Sequence, residues 1–118
     1  MGMFDNVRLE ESLIPFGIPG EVRNRLRDGG FQTKDLDNSL SLHFISQYGI
    51  EKSYRDYDTH ALIVTKVPLE KIPSSIHFYD SVEHDWWEFK AEFKNGGFVI
   101  TMVSPDPIPY LFGIGRHR

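Results

Sequence analysis

Apolar and polar residues alternate along most of the chain after Phe31, whereas before it the clearest pattern is a run of apolar positions four apart, at Ile18, Val22 and Leu26. A period of two is the mark of strands and a period near four that of a helix. Residues 3–9, MFDNVRL, read as a short strand, which the prolines and glycines of IPFGIPG end. In PGEVRNRLRDGG, Val22 and Leu26 stand four apart with Ile18 one turn earlier, and Gly29 and Gly30 follow as terminators. That spacing predicts a helix of two turns at most. SLSLHFIS then puts Leu40, Leu42 and Phe44 on one face and Ser41, His43 and Ile45 on the other, as a strand does. HALIVTKV is rich in β-branched residues and bounded by a polar loop and Pro68, which predicts a buried strand. LEKIPSS interrupts it as a single turn. SIHFYDSV sets Ile76 and Phe78 opposite His77 and Tyr79, and SVEHD marks the polar turn after it.

The strongest local signal is WWEFKAEFKNGGFVITMV. Asn95-Gly96 suits a two-residue type I′ turn, because both residues tolerate positive φ. Counting outward pairs Phe93 with Phe98, Ala91 with Ile100 and Phe89 with Met102, with Trp87 at the far end of this apolar face. Trp86, Glu88, Lys90, Glu92 and Lys94 fall on the other face, with Val99, Thr101 and Val103 across from them. A slip of one residue would bury Lys90 and Glu92, at a cost of several kcal/mol. Beyond Val103, SPDPIPY carries prolines at alternate positions, so the sheet is expected to stop and an extended tail to run over 104–118.

The chain's 118 residues suit one compact β-rich domain over 1–118, and nine Phe, five Tyr and two Trp suit a β-rich core. The expected fold is mainly β: a small antiparallel β-sandwich or rolled sheet of six to seven strands with one short helix. Thirteen basic against 17 acidic residues leave a net charge of −4, which argues against nucleic-acid binding through a positive field. Cysteine is absent, which removes disulfides, thiolate metal sites and cysteine nucleophiles, and fits a reducing compartment. No apolar run is long enough to span a bilayer, so a cytoplasmic protein without a membrane partner is expected.

Candidate chemistry is sparse. In GGFQTKDLDNSL, Gln32, Lys34 and Asp35 form a polar patch able to recognise a partner or ligand, with Lys34 and Asp37 as charge partners; a strand end entering an Asp-Leu-Asp-Asn turn explains the same residues. Asp80, Glu83, His84 and Asp85 offer oxygen and imidazole ligands, but no HExxH or EF-hand spacing supports them and a solvated turn accounts for them. His43 and His77 sit on strands that would let them meet across a sheet. No nucleophile elbow or phosphate-binding glycine loop is present, and no cofactor is expected. Arg23, Arg25 and Arg27, with Arg116 and Arg118, form either a solvated helix side or a local anion patch. Trp86, Tyr54, Tyr57 and Tyr110 fall on polar or loop-like stretches, where aromatic side chains anchor protein interfaces.

MGMFDNV at the start, GFQTKDLD at 30–37 and IHFYD followed by WWEFKAEFKNGGF resemble a group of small bacterial and phage proteins known mainly as uncharacterised open reading frames. Those sequences are similar in a Met-Phe-Asp opening, a Phe-Gln-Thr-Lys-Asp core and a late strand pair with FY and WE dipeptides. The resemblance covers roughly half the chain and implies phage or prophage origin but no activity. The expected function is therefore a non-enzymatic protein-binding module using Gln32, Lys34, Asp35, Tyr54, Tyr57, Trp86 and Tyr110 against a host or phage protein, inhibition of a host defence complex being one version. The alternative is a small enzyme or ligand-binding domain with a polar pocket around Lys34, Asp35, His43 and His77; the third is a structural or oligomeric phage component.

Overall fold

The computed structural model describes residues 3–104, and among these it contains eight strands and one α-helix. In chain order they are β1 (Asp5–Leu9), α1 (Gly20–Asp28), β2 (Phe31–Thr33), β3 (Leu42–Ser46), β4 (Gly49–Arg55), β5 (Leu62–Lys66), β6 (Ser75–Val82), β7 (Asp85–Lys94) and β8 (Gly97–Ser104). Short 3-10 turns occupy Glu11–Leu13 and Leu69–Lys71. The strands form one sheet in the order β5-β4-β3-β1-β2-β6-β7-β8, in which β1 and β3 run parallel and every other neighbouring pair antiparallel.

The expectation of a mainly β fold with one short helix stands. The sheet differs from the antiparallel sandwich or rolled sheet of six to seven strands: it is mixed, has eight strands, and carries all of them in one ladder. The parallel pair follows from the route of the chain. β2 returns antiparallel to β1 with Thr33 opposite Asp5, and the connection 34–41 then passes the start of β1 and enters β3 with Leu42 beside Asn6. The tail expected over 104–118 lies outside the described residues except for Ser104, which ends β8.

β7 and β8 pair in the register dictated by Asn95-Gly96, with φ of 51° and 80° at the two turn residues. Phe93 faces Phe98, Ala91 faces Ile100 and Phe89 faces Met102, while Lys90 and Glu92 lie on the opposite face with Thr101 and Val99. Trp87, Phe89, Ala91, Phe98 and Met102 are buried. They join a core in which Phe31, Phe78 and Phe89 meet with ring centroids 5.6 to 6.2 Å apart. α1 lies against β1 through buried Val22 and Leu26, ends at Gly29 with φ of 91°, and is tied to β6 by the Arg25 guanidinium on the Asp80 carboxylate. No helix among the described residues is long and apolar enough to cross a membrane.

Two expectations along the chain are corrected. The HALIVTKV strand is not buried: β5 is an edge strand whose Leu62 and Val64 are exposed, because β-branched residues favour extended backbone whether or not another layer covers them. Its partner β4 was not predicted, and Tyr54, expected in a loop, lies on it.

The β4–β5 hairpin closes on Asp56, whose Oδ2 accepts the Thr59 amide at 2.9 Å, the Thr59 hydroxyl at 3.0 Å and the Asp58 amide at 3.2 Å. The backbone and side-chain hydrogen bonds from Thr59 hold its carboxyl below the ordinary value of 3.8, against a small opposing effect of burial. A lowered folded pKa means that the turn's contribution is present above pH 3.8 and is lost as pH falls through the lower folded value. An NMR pH titration should place the Asp56 midpoint below that of an unstructured Asp, with the Thr59 amide shift following it. A midpoint at or above the ordinary value would show that these hydrogen bonds do not form.

Candidate functional site

Asp5 sits in phase with Val7 and Leu9 on β1, so its side chain points into the core, where it is 0% exposed. A buried carboxylate requires hydrogen bonds, and the loop between β2 and β3 supplies them. The Asn38 amide donates to Oδ2 at 2.6 Å, and the Ser39 and Ser41 amides donate to Oδ1 at 2.9 and 3.0 Å. The loop can point three amides at one carboxylate because Asn38 and Leu40 adopt left-handed backbone, with φ of 54° and 60°. Leu40 does so without a packing reward, since its side chain is 61% exposed.

This loop sets Asp37 over the sheet. Asp37 Oδ1 accepts the Ser39 hydroxyl at 2.9 Å and stands 3.7 Å from His43 Nε2, while Oδ2 meets the Lys52 ammonium. Lys52 pairs with His43 across the β3–β4 ladder, which places their side chains next to each other on one face. His43 is 2% exposed, and its Nδ1 has no hydrogen-bond partner. The ligand-capable atoms of Asp5, Asp37 and His43 all lie within 4.8 Å of one another.

Burial drives the His43 pKa down and the Lys52 charge adds to this, outweighing the pull of Asp5, Asp37 and the Ser41 backbone toward the protonated form. The imidazole is therefore neutral at pH 7. Burial alone would raise Asp37, but hydrogen bonds from Lys52 and Ser39 and the Lys52 charge hold it below its ordinary value. The cluster thus carries two carboxylates, one neutral imidazole and one ammonium.

Beside it opens a cleft of about 400 Å3, within the range of small-molecule sites. Asp35, Asp37, His43 and Lys52 line it together with Lys66 and Lys71, and Leu36, Val67, Pro68 and Pro73 give it apolar walls. Lys66 and Lys71 form no ion pair among the described residues.

The pocket expected around Lys34, Asp35, His43 and His77 is divided. Asp35 and His43 line the cleft, and Asp35 also accepts the His77 amide at 2.7 Å. Lys34 is exposed and donates to the Met3 carbonyl at 3.4 Å, while Lys52 takes the place expected for it on Asp37. His77 does not meet His43: it alternates out of phase with buried Ile76 and Phe78, and its Nδ1 lies 3.1 Å from Glu88 Oε2. On that same outer face, Gln32 pairs with Tyr79, and Trp86, 51% exposed, stacks on Tyr79 at 5.4 Å. Tyr54 lies under the Lys52 ammonium at 5.5 Å, and Tyr57 is exposed in the β4–β5 turn. Tyr110, Arg116 and Arg118 lie outside the described residues. The metal-type grouping among the described residues is Asp5, Asp37 and His43, not the segment 80–85, where Asp80 is held by Arg25. Arg23 and Arg27 meet Glu11, so the helix arginines are paired with acids and form no open anion patch.

Comparison with protein-family models, curated proteins and solved structures returned no match. Asp5 and Lys52 were missed from the sequence. The available signal for Asp5 was its parity, since an acid in phase with Val7 and Leu9 must be buried and paired.

The Asp5 clamp makes a sharp prediction. Asp5→Asn replaces one acceptor oxygen with an NH2 group facing an amide donor, and should destabilise the protein by about 2–4 kcal/mol in urea unfolding. Leu40→Gly should instead stabilise it by about 0.5–1 kcal/mol, because relief of left-handed backbone exceeds the added unfolded-state entropy. A neutral Asp5→Asn would remove the clamp from the description of this loop.

Proposed function

We propose that the protein is a ligand-binding domain and that the cleft beside His43 takes a small anionic molecule, a carboxylate or a phosphate monoester. The supporting observation is the charge of the cleft: Lys52, Lys66 and Lys71 line it against Asp35 and Asp37, a local positive surplus in a chain of net charge −4. Lys52 is engaged by Asp37, which leaves Lys71 to meet an anion, with Lys66, across the β4–β5 ladder from Glu51, at the rim of the cleft. The apolar walls suit the carbon frame of such a ligand, and His43 and Asp37 supply polar groups that orient it.

The test is an NMR titration of chelator-treated protein with inorganic phosphate and a panel of small carboxylates and phosphate monoesters. Saturable shifts confined to residues 35–37, 43 and 65–71 are expected, and Lys71→Ala should weaken binding about tenfold, the loss of one charge-assisted contact, with a smaller loss for Lys66→Ala at the rim. Absence of any saturable shift in that region would overturn the proposal.

A protein-binding module, phage-encoded and directed at a host or phage protein, is a second reading. It is favoured by the exposed Tyr79–Trp86 stack on the outer face and by the resemblance of the MFD and FQTKD segments to phage proteins. For this reading Trp86→Ala, and not Lys71→Ala, should abolish association with a partner.

A further inference from the structure

We infer that Asp5, Asp37 and His43 form a binding site for one first-row divalent transition-metal ion at the inner end of the cleft. The inference deepens the ligand-binding reading, since an ion held by three protein groups keeps open positions on which an anion from the cleft can complete the coordination.

Three features carry it. The donor set comes from three separate segments that the fold brings together: the start of β1, the β2–β3 loop and the first half of β3. One imidazole nitrogen and two carboxylates suit Zn2+, Mn2+, Fe2+ or Co2+, whereas Ca2+ asks for six to eight oxygens. His43 is almost wholly buried, its Nε2 stands 3.7 Å from Asp37 Oδ1 with no hydrogen bond to it, and its Nδ1 lacks a partner of good geometry; a buried polar atom left so costs on the order of 1–3 kcal/mol unless something occupies it. Finally, the charges leave room for a cation. Asp5 and Asp37 carry two negative charges and Lys52 offsets one of them, so the buried end of the cluster retains a negative charge that no described cation meets.

The same geometry assigns different parts to the three ligands. Asp5 is fixed by its amides, which occupy both lone-pair directions of Oδ1 and one of Oδ2, leaving one direction on Oδ2 for an ion. His43 is fixed by its strand. Asp37 is half-exposed on a loop and its Oδ1 already stands 3.7 Å from His43 Nε2, so it is the arm free to adjust until the ligand atoms, all within 4.8 Å of one another, reach the roughly 3–4 Å separations found about 2.1 Å from a common ion. The Lys52 ammonium holds Asp37 Oδ2, stands in for part of the ion's charge and competes with it for the carboxylate.

That competition gives the test its sign. Full-length protein stripped with chelator is titrated with Co2+ alone, read by visible absorption and by the His43 ring resonances, and Zn2+ is then used to displace it. One equivalent should bind. Asp37→Asn and His43→Gln should each weaken binding by at least about tenfold, no less than the loss of an outer partner of a metal ligand costs. Lys52→Gln should tighten binding several-fold, a gain that metal held adventitiously by the exposed His60 or His84 would not show. If His43→Gln does not fold, Asp37→Asn and Lys52→Gln, at more accessible positions, decide the matter. No binding at millimolar Co2+, or binding unchanged in Asp37→Asn and Lys52→Gln, overturns the inference. Saturable anion shifts in chelator without any metal binding would overturn the metal site and leave the anion cleft standing. Metal binding with no anion response in the loaded protein would uphold the metal site and overturn the anion reading.

Discussion

One buried carboxylate decides how the two halves of the sheet are joined. Asp5 accepts the loop amides of Asn38, Ser39 and Ser41, and with them the chain turns past the start of β1 instead of continuing along β2. The Ser41 carbonyl then accepts the Asn6 amide at 2.9 Å and the Leu40 amide donates to the Phe4 carbonyl at 3.0 Å, which begins the parallel ladder between β1 and β3. Left-handed backbone at Asn38 and Leu40 is unfavourable for L-residues, by about 1–2 kcal/mol for Leu, and charge-assisted hydrogen bonds of about 1.5–3 kcal/mol each are large enough to offset it. The residues of the cluster, Asp37 and His43, are positioned by this same turn.

The β7–β8 hairpin was legible from the turn as far as Phe89 and Met102, because a turn that fixes register and an alternation that fixes faces agreed; the shift beyond it that pairs Glu88 with Ser104 carries no sequence mark. The β4–β5 half was not. GIEKSYR has neither a clean alternation nor a tight-turn pair beside it, and its turn is built by Asp56 side-chain hydrogen bonds across Asp56 to Thr59. Alternation in SLSLHFIS marked a strand correctly, yet the face with Ser41, His43 and Ile45 is the buried one, while Leu42 and Phe44 are half-exposed and Phe44 is covered in part by the Arg8 guanidinium at 4.3 Å. Counting apolar residues would choose the wrong face. The parallel neighbour β1 chooses the right one, and strand neighbours are a tertiary property that one segment does not encode.

For the site, residue types in FQTKDLD were visible but their partners were not. Asp35, expected in a recognition patch, acts with Thr33 chiefly as a backbone substitute: the Thr33 hydroxyl donates to the His77 carbonyl at 2.6 Å and Asp35 accepts the His77 amide, extending the β2–β6 pairing where the ladder stops. Asp37 finds Lys52 fifteen residues away, through a strand that sequence reading left out. Lys34 and His77, chosen for their chemistry, face solvent and the outer surface because neither shares parity with the core-facing residues.

The distribution of apolar side chains explains where a cleft can exist at all. On the β6–β8 side, Phe31, Phe78, Phe89 and Trp87 pack together on the inner face. On the β3–β5 side the inner face offers Ile45 and Ile50 near β1, then His43, Lys52 and Thr65 in one row across three strands, and the apolar layer runs out. A sheet that lacks hydrophobic cover there must either be solvated or be covered by the turn at Leu69–Lys71 and the loop through Leu36, and the gap between these is the cleft. Aromatic packing is therefore concentrated at one end of the sheet and the Asp37, His43 and Lys52 cluster at the other, held there by the Asp5 clamp.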